Sequence, residues 1–184
     1  PNPKVVGNLQ SLTYFDLALS GTNACVVGCV GSGWGLQLVD IVDPHEPKIV
    51  GTILTEEFNC VAASGPYAYV AGWADAGFQV VDIRDPGALE IVGRVQLPGA
   101  SRTGMALSGD HAFVSGDLGL HVINIQDPSR PWRVGGLDTG SSSDVVILGS
   151  LAYVYGGSRL QVVDIRDPQA PRILSSVPLL GDDA

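Results

Sequence analysis

Four segments of the chain are near copies of one another: Leu36-Gln-Leu-Val-Asp-Ile-Val-Asp-Pro44, Phe78-Gln-Val-Val-Asp-Ile-Arg-Asp-Pro86, Leu120-His-Val-Ile-Asn-Ile-Gln-Asp-Pro128 and Leu160-Gln-Val-Val-Asp-Ile-Arg-Asp-Pro168. Their Asp-Pro steps recur at 42, 42 and 40 residues. A fixed period in this range means stacked supersecondary units, none of which can bury its apolar face alone. A second signature precedes each copy: Ala24-Cys-Val-Val-Gly28, Ala68-Tyr-Val-Ala-Gly72, Ala112-Phe-Val-Ser-Gly116 and Ala152-Tyr-Val-Tyr-Gly156. A third follows: Lys48-Ile-Val-Gly51, Glu90-Ile-Val-Gly93, Trp132-Arg-Val-Gly135 and Arg172-Ile-Leu-Ser175.

Each unit holds four short Val/Ile/Leu/aromatic runs bounded by Gly, Pro, Ser or Asp, the signal of β-strands. In the first unit these are strand A (Asp16–Leu19), B (Ala24–Val27), C (Leu36–Ile41) and D (Lys48–Leu54). Four strands of about six residues and four turns of about four fill the period. A crossover helix does not fit, so parallel βαβ wiring is excluded. The 24 Gly and 12 Pro agree, because so turn-rich a composition opposes long helices. Strand C is apolar on both faces, with Leu36 and Leu38 pointing one way and Val39 and Ile41 the other. Without helices, such a strand must lie between two other sheets, as it does in radially packed four-stranded blades. The expected fold is an all-β propeller of four blades, at residues 12–55, 57–98, 102–138 and 143–180, either complete or part of a larger ring.

These motifs resemble the LVIVD repeat of bacterial and archaeal propeller proteins, and the resemblance covers essentially the whole chain. It implies a secreted or cell-surface setting. It implies no general activity and no shared catalytic residues.

Pro1-Asn-Pro-Lys-Val-Val-Gly7 matches Pro44–Gly51, less the Asp before the proline and part of the spacer, so residues 1–10 are expected to form an orphan outer strand. The chain starts at Pro1, has Met105 alone and closes at Ala184 where a fifth strand A would begin, which reads as a processed or excised piece. Either further blades surround these four, or the four make an unusually small ring with a spare strand.

The loops are unequal on the two faces of the disc. The A–B span is 12 residues in every unit and the C–D span is 15. The B–C span runs 8, 6, 4 and 4, and the D–A span 9, 9, 11 and 9. Every difference falls on one face, and variable loops on a constant scaffold are where binding and catalysis usually reside.

Chemical motifs are scarce. The 19 acidic residues outnumber the 10 basic ones for a net charge of −9, which opposes nucleic-acid binding. Seven of the Asp residues (Asp40, Asp43, Asp82, Asp85, Asp127, Asp164 and Asp167) belong to the recurring turn. There the side chain is expected to accept backbone N–H groups rather than to bind metal, and Asn124 in one copy fits that role. His121 takes the place of Gln37, Gln79 and Gln161 and reads as a blade residue. Cys25 takes the place of Tyr69, Phe113 and Tyr153 and reads as a core residue; the three cysteines supply no disulfide framework. No run of 18 apolar residues offers a membrane span, and no signal peptide is legible. No metal, cofactor or catalytic residue is expected.

Function is read in three ways. The first is a non-catalytic extracellular or cell-surface module binding a protein or glycan through the face of the B–C and D–A loops. Its candidate residues are Trp34, Glu57, Phe58, Trp73, Asp75 and Arg102, an aromatic platform rimmed by charge. The second is assembly through open blade edges, by self-association or with further blades. The third is an enzyme at the mouth of the central channel, near Asp16, Asn59, Arg102 and Asp144, where Cys60 and Gly104 replace the equivalent Asp in the middle units.

Overall fold

The computed structural model describes residues 13–73, 76–99 and 104–179, so the expected strand at 1–10 lies outside the described residues. Among the described residues, sixteen strands form four antiparallel sheets, each joined in sequence order. The first blade is β1 (Tyr14–Ser20), β2 (Asn23–Val30), β3 (Gly33–Asp40) and β4 (Lys48–Thr55). The second is β5 (Phe58–Ser64), β6 (Tyr67–Gly72), β7 (Phe78–Asp82) and β8 (Glu90–Val95). The third is β9 (Met105–Ser108), β10 (His111–Gly116), β11 (Gly119–Asn124) and β12 (Trp132–Leu137). The fourth is β13 (Asp144–Leu148), β14 (Leu151–Gly156), β15 (Arg159–Asp164) and β16 (Arg172–Pro178). This is the propeller arrangement that strand C demanded.

The doubly apolar third strands explain the packing. Leu36 and Leu38 of the first blade share one core with Val81 and Ile83 of the second. Phe78 and Val80, on the other side of β7, share the next core with Ile123 and Ile125. Leu120 and Val122 then meet Val163 and Ile165. The third strands of the two middle blades, β7 and β11, therefore split their side chains between two interblade cores, as the pleat of a strand allows, while β3 and β15 each serve one. Cys25 sits in the first of these cores, and burial pushes its thiol pKa up to about 11.

The recurring Asp-Pro turn is held by its own side chains. Asp40, Asp82, Asn124 and Asp164 accept the N–H groups of Val42, Arg84, Gln126 and Arg166 through Oδ1, at 2.9–3.1 Å. Asp43, Asp85, Asp127 and Asp167 likewise accept from His45, Gly87, Ser129 and Gln169. Asn serves as well as Asp because the bond needs only an acceptor oxygen. Where Arg follows, as at Arg166, its guanidinium also pairs with the carboxylate and holds the Asp164 pKa down to about 2.

These turns also lock one blade to the next. A Cβ added at Gly51 would lie 2.4 Å from the carbonyl oxygen of Pro86 in the following blade. The same is true of Gly93 against Pro128 and of Gly135 against Pro168, each at 2.2 Å. Beside each glycine the outer strand carries a bulge, the register slipping between Leu38 and Val39, Val80 and Val81, or Val122 and Ile123 of the third strand. The fourth blade has the same slip, but Ser175 stands where its glycine would be.

The inner strands pack in succession, β1 on β5, β5 on β9 and β9 on β13, and among the described residues no comparable contact joins β13 back to β1. The described residues thus form an arc of blades with two free faces. Leu17 and Leu19 are exposed at one end, and Leu148, Tyr155 and the whole of β16 at the other.

Two outcomes test this packing. Val81→Asp puts an unpaired charge between two blades and should leave the protein unfolded or insoluble by circular dichroism; a soluble variant with unchanged melting overturns the blade assignment. Gly93→Ala should destabilise by roughly 1–3 kcal/mol in urea unfolding, because a backbone carbonyl cannot yield to the new methyl. Ser175→Ala, in the exposed strand β16, should stay within about 0.5 kcal/mol.

Candidate functional site

The face with unequal loops carries a cavity of about 130 Å³ between the first and second blades, lined by Phe15, Trp34, Glu57, Phe58, Asn59 and Trp73. Four of the six residues singled out from sequence (Trp34, Glu57, Phe58 and Trp73) thus meet at one place. Asp75 and Arg102 lie outside the described residues. One expectation needs correction: Phe58 is no platform residue. It is 2% exposed and belongs to the core between the first two blades, where it forms the cavity floor. Its equivalent Ser142 shows that a large side chain there is not demanded by the repeat.

Each wall has a local cause. Trp34 comes from the longest B–C hairpin, which extends β2 and β3 two residue pairs beyond the Gly28–Gly35 pair. Trp73 follows Gly72, and its N–H donates to the Glu57 carbonyl at 3.1 Å. This bond ties the second blade's hairpin to the crossover that brings in Glu57. Gly72 permits the approach, since a Cβ there would lie 2.0 Å from the same carbonyl. Trp73 is 53% exposed and Glu57 projects from the crossover, also exposed.

Phe15 and Asn59 were not among the proposed binding residues from sequence. Both are the extra residue of a β-bulge: Tyr14 pairs with Gly28 and Asp16 with Val27, while Phe58 pairs with Gly72 and Cys60 with Ala71. A bulge re-aims the side chain it displaces. Phe15, 47% exposed, stacks on Trp34 with ring centroids 5.3 Å apart. The available signal was an aromatic at a position held by Asn59, Thr103 and Ser143 in the other units.

A second, polar cavity of about 460 Å³ lies at the channel mouth, bordered by Phe15, Asp16, Asn59, Gly104, Ser143 and Asp144 among others. Its carboxylates are engaged in structure. Asp16 accepts Leu17 N–H through one oxygen and, through the other, Val61 N–H of the next blade at 2.9 Å. Asp144 accepts Val145 N–H at 2.8 Å. Glycine stands at position 104 because a Cβ there would lie 2.5 Å from the Asp144 carboxylate. Among the described residues, no three His, Cys, Asp or Glu side chains converge as a metal site.

His121 is a buried residue of β11, 3% exposed. Desolvation, reinforced by Arg133, lowers its pKa from 6.5 to about 4.

The folded chain is a repeat β-propeller, built from radially arranged four-stranded antiparallel sheets. The LVIVD repeat matches residues 15–55, 59–96, 101–139 and 139–178, and the chain belongs to the LVIVD-repeat family. No curated protein matches it in sequence. Among solved structures, a Lactobacillus plantarum protein superposes with a TM-score of 0.79 at 19% identity, over 93% of this chain and 57% of its own. The periplasmic gluconolactonase of Pseudomonas aeruginosa gives 0.74 at 14%, over 92% and 58%. The computationally designed protein Ika4 gives 0.66 at 10%, over 94% and 98%. At these identities the likeness is one of fold. The chain spans under two thirds of the first two.

The His121 environment predicts a pH response. Between pH 6.5 and 4 the unfolded chain binds a proton at this site that the folded protein excludes, so stability is complete above 6.5 and declines as pH falls toward 4. Melting should drop by roughly 2–6 °C from pH 7 to 5 on this account, and His121→Gln, which installs the residue of the other blades, should remove that part of the drop. An identical slope in both proteins overturns the assignment.

Proposed function

We propose that this chain is a non-catalytic interaction module that binds a partner through the face of the B–C and D–A loops. The observation that carries this is the aromatic cavity between the first two blades. It occupies the face where the units differ, and its walls Trp34 and Trp73 are additions to the minimal repeat. Exposed Trp beside a well-packed aromatic floor is the composition in which a few anchors supply most of the binding energy. A protein or glycan partner, and the extracellular or cell-surface setting implied by the repeat family, complete the proposal.

An assembly role is the second reading, supported by the free faces at the two ends of the arc. Ser175 limits it. A further blade docking in the register of the other three would set its proline carbonyl against the Ser175 Cβ. Catalysis at the channel mouth receives less support. The Pseudomonas protein of similar fold is a gluconolactonase, but here Asp16 and Asp144 are committed to backbone N–H groups.

Trp73→Ala should weaken partner binding by roughly 1–3 kcal/mol and leave the melting temperature within a degree or two, measured on partners recovered from a protein and glycan array. Equal losses from Arg84→Ala on the Asp-Pro face, with none from Trp73→Ala, would place the interface on the opposite side of the disc.

A further inference from the structure

We infer that the cavity between the first two blades receives an arginine side chain of a protein partner; this rests on the binding reading above and chooses protein over glycan. Size is the first argument. About 130 Å³ is well below the roughly 300 Å³ at which drug-sized ligand sites begin. It holds one side chain rather than a whole ligand.

The lining is the second argument. The walls are the rings of Phe15, Trp34 and Trp73, the floor is Phe58, Asn59 adds an amide, and a single carboxylate, Glu57, stands at the edge. Aromatic faces attract a cation through their quadrupole, and a guanidinium both stacks on a ring and takes a carboxylate by a two-pronged hydrogen bond. A neutral sugar can stack on the rings and hydrogen-bond Glu57, but only a cation draws on both the ring quadrupoles and the charge of the carboxylate. The side chain's aliphatic stem suits the apolar wall, which leaves only its head to be paired.

Charge is the third argument. Glu56 and Glu57 follow one another in the exposed crossover, and the chain carries a net charge of −9. Such a surface draws in a basic partner and repels an acidic one.

The test uses the full chain with N-acetyl-arginine amide as probe, N-acetyl-citrulline amide as its neutral counterpart of the same shape, and maltotriose as the glycan arm. Binding is read from the indole N–H signals in a nitrogen-15 correlation spectrum. Trp132, exposed at the start of β12, serves as internal control. The arginine probe should shift the Trp34 and Trp73 signals, spare Trp132, and bind roughly three- to tenfold more tightly than citrulline. Glu57→Gln should erase that preference, and Trp73→Ala should abolish the Trp34 shift, with both variants melting as the parent does. Equal binding of arginine and citrulline, no arginine binding, an unchanged preference in Glu57→Gln, or binding of maltotriose alone at these indoles overturns the inference. The broader reading fails separately: it falls only if Trp73→Ala leaves capture of array partners unchanged.

Discussion

The burial of third strands against neighbouring sheets, on both sides in the two middle blades, is the constraint on which the rest of this molecule depends. Phe78, Val80, Val81 and Ile83 occupy one strand and its immediate extension yet serve two cores, so no blade has a complete interior by itself. Hydrophobic burial is non-directional and would tolerate some sliding of one sheet over the next. The glycine-to-proline contacts remove that freedom. A carbonyl from each Asp-Pro turn sits where Gly51, Gly93 or Gly135 would otherwise carry a side chain, and the steric fit sets the blade spacing. Side-chain caps keep the turn rigid enough to act as the key in that lock.

This division of labour explains why the two faces differ. The Asp-Pro side must present the same turn to the same glycine at every interface, so its spans are constant. The opposite side has no such duty. There the hairpin of the first blade lengthens, that of the second carries Trp73, and bulges turn Phe15 and Asn59 toward the gap between blades. The aromatic cavity lies between these two adjacent blades, where loop residues and the bulged residues of the inner strands line the gap. Its apolar walls and single acidic edge favour a partner bringing both hydrocarbon and positive charge.

Much of this was legible in the residues. The period, the strand boundaries and the two-faced apolar pattern of strand C led to the propeller, and the substitution of Asn124 for Asp identified the turns as hydrogen-bonding devices. Trp34, Glu57 and Trp73 were legible as a group because each departs from the repeat average on the same face. Phe15 and the burial of Phe58 were not. Both depend on a one-residue slip in the inner strand, and a slip reverses which side of a strand faces the core. Composition does not record where that slip falls. The coupling of Gly51 to Pro86 was hidden for a related reason: two motifs that were visible separately meet only across a blade boundary.

The sequence by itself determined the unit, its four strands, its turn chemistry and the face on which the units vary, because these follow from local pattern and from spacing counted along one chain. The tertiary structure decided how units meet, which aromatic residues are floor and which are wall, and that the described blades form an arc rather than a closed ring. Those outcomes rest on residues far apart in the chain being brought together, such as Asp16 hydrogen-bonded to Val61 and Trp73 lining one cavity with Phe15 and Trp34. Such meetings exist only once the angle between neighbouring sheets is set, and that angle is a property of packed side chains rather than of any one strand.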